Sequence, residues 1–387
     1  MNNYKGTVLC LTFNDFPNKD AGSIRLFAIA KAIVSAGYDV KVISMGKTSV
    51  GEWQQIETGI SHLSLRNNKG GAFSLLQSYL TFNTRVNEQI RKMDKLQAII
   101  VFNTMFYIFK NRQLKKLGIS LIYDSTEWYN ACEFRLGILA PEYISNALIV
   151  RKMIKKPWKV IAISSFLEEH YKKKKIIVER VPAVMDIQSF PNREEYVPEG
   201  KIKVVYAGSP GKKDALYLIV QGVSMLPDVV REKFEFKIIG ATKEQYIEQN
   251  GEQDIPENIT FFGRLPRKRV IEELGDANFT TFLRDNNLRF VRAGFPSKLA
   301  ESMSMGVPVI TNLTSDLAMY LRDGENAVIV DGFSSEAYAK ALSSVVDMEK
   351  GQITEMHKAA RETARNNFDY SNYVKNMESL ITRGKTL

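Results

Sequence analysis

The residues best suited to chemistry by type and spacing lie between Phe290 and Ile310. Gly294 allows the backbone to approach a ligand closely, and Pro296 is favoured in the first turn of a helix. Together they predict a loop over 294–298 that leads into a helix. The first N–H groups of a helix have no partner within it, so they can bind the oxygens of a diphosphate and the hydroxyls of a sugar. In this chain these backbone N–H groups belong to Phe295, Ser297 and Lys298.

Two charged side chains in the same stretch support this interpretation. Lys298 adds a full positive charge at the predicted helix start, where an anion is already favoured. Glu301 follows one turn after Ser297 and can accept two hydrogen bonds from ribose hydroxyls. Gly306 predicts the end of the helix, and 307–310 predicts the next buried strand. The alternative interpretation is an exposed ion pair on a helix surface.

A second candidate loop lies between Tyr206 and Asp214, just after a predicted strand. It contains Gly208 together with the basic residues Lys212 and Lys213, and its resemblance to the phosphate loop of the GT-B glycosyltransferases makes it a candidate phosphate-binding loop. Arg264 follows another predicted strand and is a candidate for the same ligand. The alternative is a set of solvated turn residues, because lysine and arginine are ordinary surface side chains.

Candidate residues also occur in the first half of the chain. Asp124 and Glu127 follow a buried strand, and we predict a catalytic role for them because ligands bind at the carboxyl ends of parallel strands. Gly22, Ser23 and Arg25 form a candidate loop after the first strand, at the start of a helix. For Arg25, as for Arg264, the alternative is an ordinary surface residue.

Short β-branched segments alternate with helical patterns, which is typical of parallel sheets built from βαβ units. The first half predicts strands at 7–13, 39–44, 98–102, 120–124, 160–163 and 177–181, with helices at 23–36, 72–92, 105–117, 141–156 and 164–171. The second half predicts strands at 203–207, 235–239, 259–262, 279–282, 308–311 and 327–330, with helices at 213–225, 243–249, 267–274, 297–305, 314–322 and 334–347. A segment with two prolines and no periodicity predicts a linker over 188–200. The sequence therefore predicts two α/β domains, 1–187 and 201–368.

The order of these motifs resembles that of the GT-B glycosyltransferases, especially the large retaining family 4. Gly294, Phe295, Pro296 and Glu301 match the nucleotide-sugar signature of that family. Four further segments resemble family motifs and occur in the family's order, namely 20–25, 206–214, 262–266 and 320–326.

The resemblance implies two Rossmann-like domains that face a cleft, with the nucleotide-sugar donor bound by 201–368. It implies a final helix within 369–387 that returns to the first domain. It also implies a retaining, metal-independent transfer of sugar to a glycan or lipid-linked acceptor, as in bacterial surface polysaccharide biosynthesis. Lys298 and a basic residue of 208–213 would stabilise the leaving diphosphate in place of a divalent ion. We expect no cofactor besides the nucleoside-diphosphate sugar, which is a substrate.

Two positions depart from the family pattern. Ala293 occupies the place of the family's first glutamate, and Thr126 occupies the place of a histidine in the first domain. Both family residues contact the transferred sugar, so these contacts must differ here, and Arg289 or Arg292 is a candidate replacement. The departures leave two alternatives open: a non-catalytic partner or scaffold that keeps the nucleotide site, and a sugar-nucleotide epimerase on the same architecture.

The charge of the chain is unevenly distributed. The net charge is +10, with 27 Lys/Arg and 15 Asp/Glu in 1–190 against 26 and 28 in 191–387. The first half is therefore at +12, and it contains basic runs at 151–156 and 172–175. This pattern predicts a peripheral contact with an anionic membrane, on the inner face. The alternative is an ordinary lysine-rich surface. A nucleic-acid partner is not predicted, since neither exposed aromatics among the basic residues nor a recognition helix is evident.

The composition excludes several other classes of protein. Two cysteines, Cys10 and Cys132, are too few for a disulfide scaffold and fit a reducing cytoplasm. Three separated histidines predict no metal site. No apolar run reaches the length of about 18 residues that a membrane span needs. We therefore expect a cytoplasmic protein.

Overall fold

The computed structural model describes residues 4–17, 20–67, 72–102, 118–191, 199–208, 213–251 and 254–383. The chain folds into two compact units. Unit 1 contains Met1–Met185 and Tyr370–Leu387, and unit 2 contains Asp186–Asp369. The boundary between Met185 and Asp186 therefore lies just before the predicted linker 188–200. Residues 192–198 of this linker are outside the described residues.

Unit 1 is built on an eight-stranded sheet with the strand order β3-β4-β2-β1-β5-β6-β7-β8. Strand β3 pairs antiparallel with β4, and the other pairs are parallel. The inner strands β1 and β6 are buried along their whole length, as expected for a sheet covered on both faces. The strands are β1 (Thr7–Leu11), β2 (Asp39–Ser44), β3 (Gln54–Glu57), β4 (Ile60–Ser64), β5 (Leu96–Phe102), β6 (Ser120–Ser125), β7 (Lys159–Ala162) and β8 (Val178–Arg180).

The helices of unit 1 cover this sheet. They are α1 (Ala21–Ser35), α2 (Ala72–Ile90), α3 (Pro141–Leu148), α4 (Ser165–Lys173) and the last helix, α13 (Val374–Thr382). A capping box starts α1, because the Asp20 carboxylate accepts the N–H of Ser23 at 2.8 Å while the Ser23 hydroxyl accepts the N–H of Asp20 at 2.9 Å. Helix α13 packs against α1, with Met377, Leu380 and Ile381 in the core of unit 1.

Unit 2 is built on a six-stranded, wholly parallel sheet with the order β11-β10-β9-β12-β13-β14. Its strands are β9 (Ile202–Ala207), β10 (Phe234–Ile239), β11 (Ile259–Gly263), β12 (Phe279–Phe282), β13 (Val309–Thr311) and β14 (Ala327–Ile329). Its helices are α5 (Leu216–Ser224), α6 (Asp228–Arg231), α7 (Lys243–Asn250), α8 (Arg267–Gly275), α9 (Arg289–Ala293), α10 (Ser297–Ser304), α11 (Ser335–Val346) and α12 (Lys350–Asn367).

Helix α10, which the sequence singled out, is tightly held in unit 2. It packs on α12, and its end is marked by Gly306 with a φ of 75°, where glycine is favoured. A methyl group at Gly306 would come within 3.2 Å of the His357 carbonyl oxygen of α12. Glycine therefore both ends the helix and permits the close approach of α12.

The doubly wound α/β class predicted from the sequence is confirmed, with several local corrections. The edge strand β3 and its neighbour β4 were not predicted, because 54–64 is short and polar and lacks the β-branched runs of the inner strands. The predicted helix 141–156 ends as an α-helix at Leu148 and continues as a π-helical turn over Ile149–Met153. The predicted helix 314–322 is reduced to a 3-10 turn over Leu317–Met319. The predicted helix 105–117 lies outside the described residues.

Candidate functional site

Helix α10 begins within the predicted loop 294–298, so Ser297 and Lys298 belong to the helix. Its first residue is Ser297, and Pro296 stands at the N-cap rather than in the first turn. Gly294 is buried with φ −85° and ψ 175°, angles that any residue adopts, so its backbone does not require glycine. Phe295 packs against Tyr320 and Phe368, with ring centroids 5.6 and 5.7 Å away. The ring of Phe295 is part of the core, and its predicted binding role rests on its N–H alone.

The ammonium of Lys298 lies at the carboxyl end of β9. It forms an ion pair with Asp214 and stands 4.2 Å from the ring centroid of Tyr206. A methyl group at Gly208 would come within 2.5 Å of Lys298 Nζ, so the glycine leaves the space that the lysine occupies. Two residues predicted from separate motifs, Gly208 and Lys298, therefore meet in the structure.

Asp214 binds two cations at once. Arg284 Nε lies 2.7 Å from Oδ1, while Lys298 pairs with Oδ2 and the Tyr206 hydroxyl donates to the same oxygen at 3.1 Å. The side chains of Asp214, Arg284 and Lys298 are 7%, 12% and 17% exposed, so water screens their charges poorly. We name Tyr206, Asp214, Arg284 and Lys298 the Asp214 cluster. Because one carboxylate faces two cations, the cluster keeps one net positive charge.

The protonation states of the Asp214 cluster follow from burial and charge. Burial by itself would raise the pKa of Asp214, but Lys298 and Arg284 outweigh it and hold this pKa well below its usual value. Burial lowers the pKa of Lys298, which Asp214 counteracts and Arg284 reinforces. Burial and the Asp214 charge raise the pKa of Tyr206, so its hydroxyl remains a hydrogen-bond donor. Sequence reasoning missed Arg284 altogether and did not single out Asp214.

Glu301 occupies the predicted place, one turn beyond Ser297 on α10. Its Oε1 forms an ion pair with the guanidinium of Arg267 at the start of α8. The sequence predicted a carboxylate open to ribose hydroxyls, and the structure adds a cation beside it. The sequence did not predict Arg267 as the partner of Glu301. Arg267 follows Arg264 by three residues, but this spacing gives no connection with α10.

The other predicted basic residues of unit 2 are Lys212, Lys213 and Arg264. Arg264 is exposed and follows Gly263, whose φ of 63° makes the sharp turn after β11. Lys213 Nζ lies 6.0 Å from the ring centroid of Phe290. Lys212 lies outside the described residues, so the predicted phosphate loop is seen at its two ends, Gly208 and Lys213.

A cavity of about 530 Å³ lies in unit 2 beside the Asp214 cluster. Its volume is that of a pocket for a small molecule. Tyr206 and Asp214 form part of its wall together with Lys213, and the remainder is mainly apolar or aromatic, including Leu216, Tyr217, Tyr246, Leu288 and Phe333. Lys213 is the one residue, within the described part of the chain, that both lines this cavity and was predicted to bind the donor.

In unit 1, Arg25 and Asp124 form a two-pronged ion pair. Arg25 Nε lies 3.0 Å from Oδ2 of Asp124, and the terminal nitrogen Nη2 lies 2.8 Å from Oδ1. The side chains are 5% and 2% exposed, and Arg25 also donates to the carbonyls of Val181 and Pro182. Both carboxylate oxygens of Asp124 are therefore held in the interior, and its catalytic role stays a prediction. Arg25 likewise joins α1 to β6 and β8 rather than extending into solvent.

The remaining candidates of unit 1 lie nearby. Ser23 is buried in the helix cap, and Gly22 is exposed at the first turn of α1. Glu127 is half-buried, and its carboxylate raises the pKa of Tyr129, adding to the larger effect of burial. The backbone carbonyl of Glu127 accepts a hydrogen bond from Asn146 at 3.1 Å. Glu127 therefore remains the better placed of the two predicted carboxylates, and its role stays a prediction.

The positions that depart from the family pattern are also resolved. Ala293 is the last residue of α9 and is completely buried. Arg292 is exposed, whereas Arg289 at the start of α9 is half-buried. Thr126 is half-buried directly after β6. A longer side chain at position 293 would have to displace its neighbours, so the alanine fits closely into the local packing.

The three histidines are accounted for by local packing. His62 Nε2 lies 2.8 Å from the Ser44 hydroxyl, and burial lowers the pKa of His62 to about 4. His357 Nε2 lies 2.9 Å from the Asn278 carbonyl oxygen, and His170 Nε2 lies 3.0 Å from that of Val150. Within the described residues, no group of three or more His, Cys, Asp or Glu side chains is arranged to bind a metal ion. Across that same part of the chain, no helix combines the length and apolar character that a bilayer crossing requires.

Sequence comparison connects unit 2 to a known family. The family described as Glycosyl transferases group 1 matches residues 189–367, which is nearly the whole of unit 2. WcaL of Escherichia coli K12, which is named as a glycosyltransferase of colanic acid biosynthesis, is 22% identical over 214 residues. That alignment covers 54% of this chain and 51% of WcaL, so the chain spans about half the length of the curated relative it matches.

Solved structures resemble the whole chain. The sucrose-phosphate synthase from Thermosynechococcus elongatus aligns with a TM-score of 0.72 and 13% identity, over 97% of this chain and 98% of its own. The Anabaena protein HepE in complex with UDP-glucose aligns with a TM-score of 0.67 and 10% identity, over 97% and 99%. At these identities the likeness establishes the fold. The resemblance to GT-B glycosyltransferases, with two Rossmann-like domains, is confirmed.

Proposed function

We propose that this protein transfers a sugar from a nucleoside-diphosphate sugar, bound by unit 2, to a glycan or lipid-linked acceptor in surface polysaccharide biosynthesis. Three findings support the proposal. Unit 2 matches the group 1 glycosyl transferase family, HepE carries UDP-glucose on the same fold, and WcaL is named for the synthesis of a polysaccharide. The donor is a substrate, and no further cofactor is part of the proposal.

The observation that carries the proposal is the Asp214 cluster. Lys298 stands in the first turn of α10, so its ammonium and the free N–H groups of the helix start can act on the same anion. The net positive charge of the cluster is poorly screened because its side chains are largely buried. A diphosphate is the chemical group that matches this arrangement, since it offers several anionic oxygens to both kinds of donor.

This arrangement also suits the chemical step. When the bond between the sugar and the diphosphate breaks, negative charge grows on the leaving oxygen, and preorganised positive groups stabilise that charge. Lys298 supplies a fixed cation because Asp214 and the Tyr206 ring hold its side chain. We propose that these groups replace a divalent ion. We also propose, on the family 4 resemblance, that the sugar is transferred with retention of configuration.

Glu301 and Arg267 complete the donor site in this proposal. A carboxylate that is fixed by an arginine keeps its orientation, which favours the acceptance of hydrogen bonds from vicinal ribose hydroxyls. Phe295, Ser297 and Gly294 would contribute backbone groups around the sugar. Arg264 and Lys213, at the edges of the site, would contact the base or the phosphates.

A second function is favoured by two specific observations. Ala293 leaves the site without the family's first carboxylate, and Asp124 is neutralised by Arg25. Both fit a partner or scaffold that binds a nucleotide-sugar without transferring it. The two proposals differ only in the chemical step, so a binding measurement cannot distinguish them and a turnover measurement can.

The test combines both measurements. A panel of nucleoside-diphosphate sugars is first screened for thermal stabilisation of the full chain, because a ligand that binds the folded state raises its stability. The best donor is then incubated with the protein and membrane extract from the host, and the release of free nucleotide is followed. Release that depends on both protein and extract supports transfer. Tight binding with neither transfer nor hydrolysis for any donor supports the scaffold.

A further inference from the structure

An unusual surface lies in unit 1, on the segment that follows β6. Five large apolar side chains are exposed there, with exposed fractions of 63% for Leu136, 68% for Ile138, 71% for Leu139, 42% for Ile144 and 38% for Leu148. Five basic side chains on the same segment are also exposed, namely Arg135, Arg151, Lys152, Lys155 and Lys156. We name these ten residues the 135–156 patch. The sequence predicted only its basic half.

The 135–156 patch is held on ordered structure. The 3-10 turns Ala131–Glu133 and Gly137–Leu139 pack on each other, and the second also packs on α3. Ile144 and Leu148 lie one turn apart on α3, so they share a face. Asn146, Ile149 and Val150 are buried and fix the segment to unit 1. The apolar side chains therefore project from a fixed base, and their exposure is a feature of the folded state.

The charge around these apolar side chains indicates the kind of partner. Within 128–157, five basic residues stand against two acidic ones, Glu133 and Glu142. Glu133 is engaged in a local cap, where its carboxylate accepts the N–H of Asn130 at 2.8 Å. Exposed leucine and isoleucine on the same segment as exposed lysines match the boundary between lipid headgroups and acyl chains, since apolar groups enter the boundary while ammonium groups reach the phosphates.

From these observations we propose that the 135–156 patch docks the protein onto an anionic lipid bilayer. Leu136, Ile138 and Leu139 enter the acyl boundary, and Lys152, Lys155 and Lys156 bind headgroup phosphates. Neither a donor nor an acceptor is involved, so vesicle binding can be measured apart from the proposed sugar transfer. Failure of one proposal leaves the other intact.

The test is co-sedimentation of the full chain with vesicles of phosphatidylcholine alone or mixed equally with phosphatidylglycerol. The wild type should bind the mixed vesicles at low salt and much less at about 0.5 M salt, because headgroup attraction is screened. Leu136→Ser with Ile138→Ser and Leu139→Ser should lower the partition coefficient by ~10-fold or more. Lys152→Gln with Lys155→Gln and Lys156→Gln should lower it by a similar factor on mixed vesicles.

Matched control variants separate the patch from general effects. Met225 and Val229 of unit 2 are exposed to 51% and 74%, so Met225→Ser with Val229→Ser removes exposed apolar groups elsewhere. Lys201, Lys340 and Lys350 of unit 2 are exposed outside the patch, and changing all three to Gln removes the same charge. Both controls should bind like the wild type, and all variants should keep the wild-type circular dichroism.

Several outcomes would overturn the proposal. The first is equal wild-type recovery with neutral and anionic vesicles, and the second is a charge control that loses as much binding as the patch variant. A third is light scattering that shows a dimer broken by the apolar variant without any vesicle binding, which would assign the patch to a contact between two copies of the chain.

Discussion

The substitution Asp214→Asn tests the Asp214 cluster directly. It keeps the size of the side chain but removes the negative charge between Arg284 and Lys298. Removing one partner of a buried ion pair leaves an uncompensated charge and costs about 3–5 kcal/mol. The asparagine amide can still accept one hydrogen bond, and Lys298 retains 17% exposure. We therefore expect a loss of about 3 kcal/mol in the free energy of unfolding at pH 7, the lower end of that range.

The pH dependence of this loss has a definite sign. The pKa of Asp214 is lower in the folded protein than its ordinary value of 3.8, because Lys298 and Arg284 outweigh the effect of burial. Between the two values the unfolded chain binds more protons, so the stabilisation by Asp214 is complete above about pH 5 and falls as the solution is acidified. The difference between wild type and Asp214→Asn should therefore be constant from pH 7 to 5 and shrink below pH 4.

The assay is urea unfolding followed by circular dichroism, at pH 7, 5, 4 and 3 and constant ionic strength. Asp276→Asn is the matched control, because Asp276 also pairs with a lysine, Lys203 at 2.7 Å, but is 51% exposed. That control should lose less than about 1 kcal/mol. A loss below about 1 kcal/mol for Asp214→Asn at pH 7 would refute our account of the cluster, as would a loss that is unchanged at pH 3.

Four other substitutions test the remaining residues. Glu301→Ala should weaken binding of the nucleoside diphosphate by about 1.5–3 kcal/mol in calorimetry, and an unchanged dissociation constant with an intact fold would reject the ribose contact. Lys298→Ala should lower kcat/KM by ~100-fold or more, equivalent to at least ~2.7 kcal/mol, whereas a loss within tenfold would contradict the role given to Lys298. Arg25→Met should cost about 3–5 kcal/mol in urea unfolding because it leaves Asp124 buried without its cation, and a neutral result would argue against that pair. Ala293→Glu should lower the melting temperature more than Ala293→Ser, since position 293 is completely buried, and should not create activity; a gain of transfer would favour the scaffold.

The sequence predicted those features that are encoded locally. Spacing within a few residues predicts the loop before α10 and the glycine that ends α10. It also predicts the alternation of strands and helices. Asp214 and Arg284, in contrast, are 70 residues apart and meet because β9 and β12 are neighbours in the sheet. Sequence order does not reveal that neighbourhood, since β12 follows β10 and β11 along the chain. The pairing of Glu301 with Arg267 was missed for the same reason.

Arg25 and Asp124 show how a partner on another element can change the interpretation of a motif. Asp124 was singled out at the carboxyl end of a strand and Arg25 at the start of a helix, and the structure places them in β6 and α1. They are 99 residues apart, and only the parallel order β1-β5-β6 shows that each can satisfy the other. A charged residue after a strand is therefore ambiguous until its possible partner on another strand is known. Glu127, which lies beyond the end of β6, remains a candidate.

Each unit thus has a largely buried ionic group at the edge where its loops leave the sheet. In unit 1, Arg25 connects α1 to Asp124 of β6 and to the backbone after β8. In unit 2, Asp214 connects the segment after β9 to Arg284 after β12 and to Lys298 in α10. Apolar residues of similar volume would often stabilise such positions equally well. An ion pair adds a fixed direction for each hydrogen bond. A site for a diphosphate needs this fixed direction, because a cation displaced by about 1 Å loses much of its effect on the transition state.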